Sequence, residues 1–205
     1  TVCSGINSSG DVVGSYSNST GSHGFLWVNG TFTDIPGPSG AVESQAFGIN
    51  DAGVIVGSYH VKGGPVHGFV LKGSKYTTLD PPGSQGTQAT GINNHGYISF
   101  SFLDSQQNSE GAVYNGKSYN ILNVPTASNS MAMGINDSAD VIFQWFDQNF
   151  HPHAALYHYG RYYILNHPRS QGTYGMGINN KGQFSGFYVP NNDYEGGFVA
   201  NYSIE

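Results

Sequence analysis

The tripeptide Gly-Ile-Asn recurs five times at one spacing, and this recurrence restricts the fold more than any other feature of the chain. A period of about forty residues, with short apolar runs between Gly and Asn turns, is typical of four-stranded propeller blades and not of helical solenoids. We therefore predict one all-β domain over residues 1–205, a five-bladed β-propeller. Its units start near Gly5, Gly48, Gly91, Gly134 and Gly177, each 43 residues after the one before.

The second unit illustrates the strand pattern that we expect in every blade. We name its strands a to d in chain order, with strand a innermost. They are predicted at residues 45–49, 54–59, 67–71 and 75–79. The last unit reaches Glu205 before a strand d begins, so we predict that its blade has three strands. Alternatively, a segment of another chain or of a longer parent protein pairs with that open edge.

Composition excludes several classes of function. Only 10% of the residues are charged, the formal net charge is -6, and the seven Lys and Arg are scattered, which argues against a nucleic-acid partner. No stretch approaches the roughly 20 apolar residues that span a bilayer, so no membrane span is predicted. Because Cys3 is the only cysteine, neither an internal disulfide nor a thiolate metal cluster can form. We expect no cofactor and no metal.

Two motifs carry a resemblance to a known family. His23-Gly24-Phe25 and His67-Gly68-Phe69, each in a similar apolar setting near a Gly-Ile-Asn turn, resemble the His-Ala-Phe element of the bacterial extracellular HAF repeats. The match weakens where Glu110 and Gly196 replace the His and Ala155 replaces the Phe. The resemblance implies propeller-type repeats in a secreted or cell-surface bacterial protein. It implies no catalytic residue.

Candidate ligand contacts follow from the face on which strand b ends and strand c begins, which we call the upper face. Aromatic rings recur at the end of strand b, and His or its replacements recur at the start of strand c. The rings either pack between blades or stack on a sugar, and the His either bond to nearby loops or contact ligand. Equivalent His in different blades should lie roughly 20 Å apart, too far to share a metal. The predicted ligand contacts are Tyr16, Tyr59, Phe102, Trp145, Tyr188, His23 and His67, with Gln45, Gln88 and Tyr174 nearer the axis.

Three functions remain open at this point. The uncharged polar loops and repeated aromatics favour a binding module for carbohydrate or another neutral polar ligand, with its best sites in the first two units. A secreted hydrolase or lyase would need the irregular loops of units three to five, and a pure scaffold would need neither. Acid–base candidates for the enzyme are Asp104, Glu110, Asp147, His151 and His153, with Asp193 and Glu195 beyond them.

Overall fold

A computed structural model describes residues 1–190 and 195–202. Its strands form five antiparallel sheets, four with four strands and one with three. The first blade contains β1 (Val2–Ile6), β2 (Val12–Asn18), β3 (Gly21–Val28) and β4 (Thr31–Ile35). The second contains β5 (Ala41–Ile49), β6 (Ile55–Val61), β7 (Val66–Lys72) and β8 (Lys75–Thr78). The third contains β9 (Gly86–Ile92), β10 (Ile98–Leu103), β11 (Ser109–Tyr114) and β12 (Tyr119–Ile121).

The last two blades continue the same order. The fourth contains β13 (Asn129–Ile135), β14 (Val141–Phe146), β15 (Pro152–His158) and β16 (Arg161–Ile164). The fifth contains β17 (Ser170–Ile178), β18 (Gln183–Pro190) and β19 (Gly196–Asn201). Strands a, b, c and d pair in sequence within each blade, which confirms the predicted all-β, five-bladed propeller with three strands in its last sheet.

The Gly-Ile-Asn tripeptide has one structural role for each of its residues. A Cβ added to Gly48 would lie 3.1 Å from the Cα of Gly91, so only glycine lets neighbouring inner strands approach this closely. The isoleucines line a cavity at the axis, and Asn50 closes the turn by accepting the backbone N–H groups of Ala52 and Val54. The tripeptide therefore sets both the hairpin turn and the spacing between blades.

The asparagines of this tripeptide also connect each blade to the next. In each of the first four blades the side-chain Nδ2 donates to the backbone oxygen of the next blade's asparagine. The pairs are Asn7 to Asn50 (3.4 Å), Asn50 to Asn93 (3.1 Å), Asn93 to Asn136 (2.9 Å) and Asn136 to Asn179 (3.3 Å). In the fifth blade Asn179 instead donates to the Gln183 Oε1 of its own hairpin.

The junction between the fifth and first blades differs from the other four. A cleft of about 750 Å³ separates the two blades, and its lining combines apolar groups such as Ile6 and Val12 with polar groups such as Ser4 and Gln183. Ile6 is 68% exposed, whereas its equivalent Ile49 is 7% exposed. The five blades therefore surround one axis, with an open junction between the last and the first.

A buried phenylalanine lies at one equivalent place in each of the first four blades, but it comes from two different strands. In the first two blades it belongs to strand c, as Phe25 and Phe69, each opposite a glycine of strand b. In the third blade Phe100 of strand b lies opposite Ala112 instead, and the fourth blade uses the same exchange. In these two blades the phenylalanine is on strand b and the small residue is on strand c. The His-Ala-Phe-like motif is therefore lost from the sequence, while the same core volume remains filled.

Candidate functional site

The aromatic and histidine positions predicted on the upper face lie directly opposite each other in neighbouring strands. The cross-strand pairs are Tyr16 with His23, Tyr59 with His67, Phe102 with Glu110, Trp145 with His153, and Tyr188 with Gly196. Three of these pairs bring two rings together, at centroid distances of 5.3 Å, 5.2 Å and 4.4 Å in the first, second and fourth blades. Each pair belongs to one blade.

Burial separates these rings into two groups. Tyr59, Phe102 and Trp145 are 9%, 6% and 8% exposed, so they have little free surface on which a ligand could stack. Tyr16 and Tyr188 are half-buried. The Tyr16 hydroxyl donates to Asp34 of strand d at 3.0 Å. The middle three rings therefore belong to the core, in clusters that also contain residues of the preceding blade, as Ile35 does beside Tyr59.

The strand c histidines are held by loops of their own blade. His23 Nε2 lies 2.8 Å from the Thr20 hydroxyl, and His67 Nδ1 lies 2.8 Å from the Asp80 carboxylate. The same carboxylate accepts the backbone N–H of Gly68. These contacts orient the rings without drawing different blades together.

Two equivalent clefts open on the upper face, where strand c of one blade meets strand a of the next. The cleft between blades one and two holds about 100 Å³ and includes Gln45, Tyr59 and, from the third blade, Gln88. The cleft between blades four and five holds about 480 Å³. It is lined by His151, Pro152, His153, Gln171, Gly172, Tyr174 and Val189. We call it the 4/5 cleft.

Asp147 organises one wall of the 4/5 cleft. Its Oδ1 accepts the backbone N–H groups of Asn149 and His151, at 2.8 and 2.9 Å, which closes the loop between β14 and β15. Its Oδ2 lies 3.3 Å from His151 Nδ1 and 3.5 Å from His153 Nε2. The hydrogen bond from the His151 backbone is the main reason why the pKa of Asp147 falls to about 2. The carboxylate is thus charged and faces both imidazoles.

The opposite wall comes from the inner strands of the fifth blade. The Tyr174 ring stacks on Phe187 with a centroid distance of 4.3 Å and nearly parallel planes. At Gly172 an added Cβ would overlap Pro152 Cγ, so glycine lets the two blades approach at the base of the cleft. The wall therefore presents a supported aromatic ring, with the exposed side chain of Gln171 beside it.

The remaining candidates do not join the 4/5 cleft. Asp104 closes a turn in the third blade by accepting the backbone N–H groups of Gln106 and Asn108, and mainly the second of these bonds lowers its pKa. Glu110 lies opposite Phe102 in the same blade, and neither carboxylate lines either upper-face cleft. Asp193 lies outside the described residues.

Sequence reasoning missed Phe187 as a contributor to this face, and it placed His167 in the upper loops without predicting its role. Phe187, which supports Tyr174, has no equivalent aromatic in the other units. His167 of the loop before β17 stacks on Tyr188 at 3.6 Å, replacing the strand c histidine that the fifth unit lacks. The missing strand c histidine of the fifth unit is the sequence signal that could have indicated a substitute. In the structure a Cβ at Gly196 would lie 2.5 Å from the Tyr188 ring, so glycine leaves room for that ring.

Comparison with known proteins supports the fold. No protein-family model matches the sequence, and no curated protein matches it either. TolB from Acinetobacter baumannii is similar in structure, with a TM-score of 0.65 and 10% identity over 97% of this chain and 54% of that one. The chain therefore spans about half the length of TolB.

Two lectins share the propeller architecture. SapL1 lectin, solved with alpha methyl fucoside, has a TM-score of 0.61 and 12% identity over 96% of this chain and 76% of that one. The fucose-specific lectin from Aleuria aurantia has a TM-score of 0.57 and 11% identity over 98% and 76%. At these identities the likeness shows a common fold. Separately, the part of the chain that the structure describes contains no helix long and apolar enough to cross a membrane.

Proposed function

We propose that this chain is a carbohydrate-binding module whose principal site is the 4/5 cleft. The main support is that the Tyr174 ring lines the same open cleft of about 480 Å³ as the Gln171 amide and the His151 and His153 imidazoles. An aromatic ring packs against the C–H face of a sugar, while Gln171, His151 and His153 can bond its hydroxyls. The cleft is within the range of small-ligand sites.

The choice of this cleft rests on volume and on the free aromatic ring. The equivalent cleft between blades one and two is about five times smaller, and its Tyr59 is buried and bonded to Thr78 of strand d. It therefore serves in our proposal as a weaker, secondary site. The lectins of similar fold support carbohydrate as the ligand class, and the low charge supports a neutral sugar. We place the activity outside a bacterial cell, supported by the resemblance to extracellular repeats.

Titration calorimetry with a panel of neutral monosaccharides and short glycans tests the proposal. Tyr174→Ala should weaken binding by roughly ten-fold, equivalent to about 1.4 kcal/mol. Tyr159→Ala is the matched control, because this tyrosine is 80% exposed at the β15–β16 turn on the opposite face. It should bind like the unaltered chain. Equal affinity of both variants, with melting temperatures unchanged, would contradict the assignment of the site.

A hydrolase or lyase is the second candidate, and the closeness of Asp147 to two imidazoles favours it. A carboxylate can orient an imidazole for acid–base chemistry. Asp147→Asn separates the two functions, because the amide oxygen still accepts the two loop N–H groups while the charge is lost. Binding by this variant should weaken less than in Tyr174→Ala, because the loop and the aromatic wall stay in place while the contacts from Asp147 Oδ2 to His151 and His153 change. Turnover of a glycoside or ester that disappears in Asp147→Asn would establish the enzyme instead.

A further inference from the structure

The outer strands of the first four blades contribute an aromatic ring that packs on the buried phenylalanine of the same blade. The ring pairs are Phe25–Phe32, Phe69–Tyr76, Phe100–Tyr119 and Phe143–Tyr162, with centroids 5.3, 5.5, 5.6 and 5.9 Å apart in edge-to-face geometry. Each outer aromatic lies opposite an equivalent strand c residue, as Tyr76 lies opposite Leu71. In each of these blades, one aromatic residue of strand d therefore covers the buried phenylalanine.

In the fifth blade this place is an open groove. The described sheet ends at β19, where Phe198 corresponds to Phe69. Beside Phe198 lies a cavity of about 610 Å³, lined by Phe184 and by Leu156, Tyr163 and other residues of the fourth blade. Within the described residues, no outer-strand ring covers Phe198. The groove therefore corresponds to the volume that strand d occupies in the other blades.

The outer edge of β19 is unpaired among the described residues, and it has none of the charges found on the outer strands of three other blades. In blades one, two and four the outer strand carries Asp34, Lys75 and Arg161, whereas β19 has the uncharged sequence Gly-Gly-Phe-Val-Ala-Asn. Charged residues on an edge strand oppose the addition of another strand. Val199 on this edge is also 71% exposed.

We infer that β19 and the adjoining groove accept an extended strand from a partner polypeptide. The strand runs antiparallel to β19 and carries a tyrosine opposite Ala200, the residue that corresponds to Leu71. Because the described groove-lining residues include no Asp, Glu, Lys or Arg that could pair with a charge, the face of the strand that enters the groove should be uncharged. Main-chain hydrogen bonds supply affinity in this mode of recognition, and the side-chain pocket supplies specificity.

A tyrosine fits better than a phenylalanine because of the loop that borders the groove. Between blades one and two, the Gly37 backbone N–H donates to the Tyr76 hydroxyl at 3.3 Å, so this loop bonds the outer-strand tyrosine. The corresponding loop of the fourth blade includes His167, which lines the groove. In the described part of the chain its Nδ1 is buried and has no hydrogen-bond partner. A small shift of the His167 ring would expose Nδ1 to the groove, where it accepts the incoming hydroxyl.

The probe for this site is a synthetic, fluorescein-labelled peptide with the sequence of residues 160–166, Gly-Arg-Tyr-Tyr-Ile-Leu-Asn, the chain's own outer strand of blade four. Fluorescence anisotropy should show saturable binding. The peptide with Tyr162→Ser should bind at least ten-fold more weakly, and the peptide with Tyr162→Phe two- to five-fold more weakly. Equal binding of all three peptides would overturn the inference.

The protein side of the test uses the backbone of β19. In blade two the Gly68 oxygen accepts the Leu79 N–H from the outer side, so by alternation the equivalent Gly197 and then Val199 present their backbone groups to the free edge. Val199→Pro removes an outward N–H and should abolish binding, while Val199→Thr keeps the N–H and should bind within two-fold of the unaltered chain. Proline is tolerated on edges with this orientation.

Two further measurements complete the test. One replaces Val199→Pro if that variant misfolds, and the other distinguishes a partner strand from a second copy of this chain. Should Val199→Pro melt early, the peptide N-methylated on its edge-facing amides replaces it, and undiminished binding of that peptide would refute strand addition. Sedimentation of the unaltered chain should show a monomer over a wide concentration range. Self-association that Val199→Pro abolishes would assign the edge to a second copy and overturn the partner strand.

Discussion

The asparagine that ends each Gly-Ile-Asn should contribute differently to the free energy of unfolding from blade to blade, because its hydrogen bonds differ. Asn50 is 6% exposed, its Oδ1 accepts two turn N–H groups, and its Nδ2 donates to the Asn93 oxygen in the next blade. Asn50→Ala removes all three bonds. Asn7 makes a longer, less buried bond of 3.4 Å to the next blade, and within the described residues the Asn179 side chain donates only inside its own hairpin.

The expected loss follows from these contacts. Two partly exposed turn bonds contribute about 0.5–1.5 kcal/mol each, and an unsatisfied carbonyl at the blade junction costs about 1–3 kcal/mol. Asn50→Ala should therefore lower the free energy of unfolding by roughly 2–6 kcal/mol, which corresponds to a drop in melting temperature of roughly 4–24 °C. Asn7→Ala should cost less, and Asn179→Ala should cost only the turn bonds.

Urea denaturation followed by tryptophan fluorescence measures the three values, with calorimetry for the melting temperatures. Asn50→Asp is the control, because its carboxylate keeps the turn acceptors but cannot donate to the Asn93 oxygen. It should lose the junction contribution alone. Equal losses at Asn7, Asn50 and Asn179, or a neutral Asn50→Asp, would refute the role of the amide in joining blades.

Three other outcomes follow from the structure. Gly57→Ala should destabilise by roughly 1–3 kcal/mol or more in thermal unfolding, because its Cβ would overlap a carbonyl oxygen of the neighbouring strand, while Gly197→Ala, with open space around it, should be near neutral. The depressed pKa of Asp147 stabilises the fold fully above about pH 4, and this contribution is lost as the pH falls towards about 2. Carboxyl titration by NMR checks the value, and an ordinary pKa near 4 would contradict it. His67→Ala should cost about 1 kcal/mol through the lost bond to Asp80, and an unchanged melting temperature would contradict a structural role.

The repeat alone predicts most of the fold, because each part of the tripeptide has a local task. Glycine permits close approach of inner strands, and asparagine closes the turn through contacts within five residues. Such local requirements repeat identically, so the number of blades, the strand order and the recurring positions of the upper-face rings can all be read from spacing. The structure adds that Tyr59 lies opposite His67 and Trp145 opposite His153.

The site could be predicted only in part. Asp147, His151 and His153 are six residues apart at most, so one loop brings them together, and the sequence indicates this cluster. Their meeting with Tyr174 depends on how the fourth and fifth blades pack. The phenylalanine that moves from strand c to strand b is likewise invisible to motif reading, since only the folded blade shows that both positions fill one volume.

The sequence by itself determined the five equivalent blades, the hairpin turns and the positions of the upper-face rings, because these depend on contacts between residues close in the chain. The tertiary structure decided where equivalence fails. The open junction beside Ile6, the 4/5 cleft and the groove along β19 all involve the fifth blade, whose neighbours differ from those of the others. A repeat encodes the same surface each time, but burial depends on what lies against that surface, and only the assembled ring determines that.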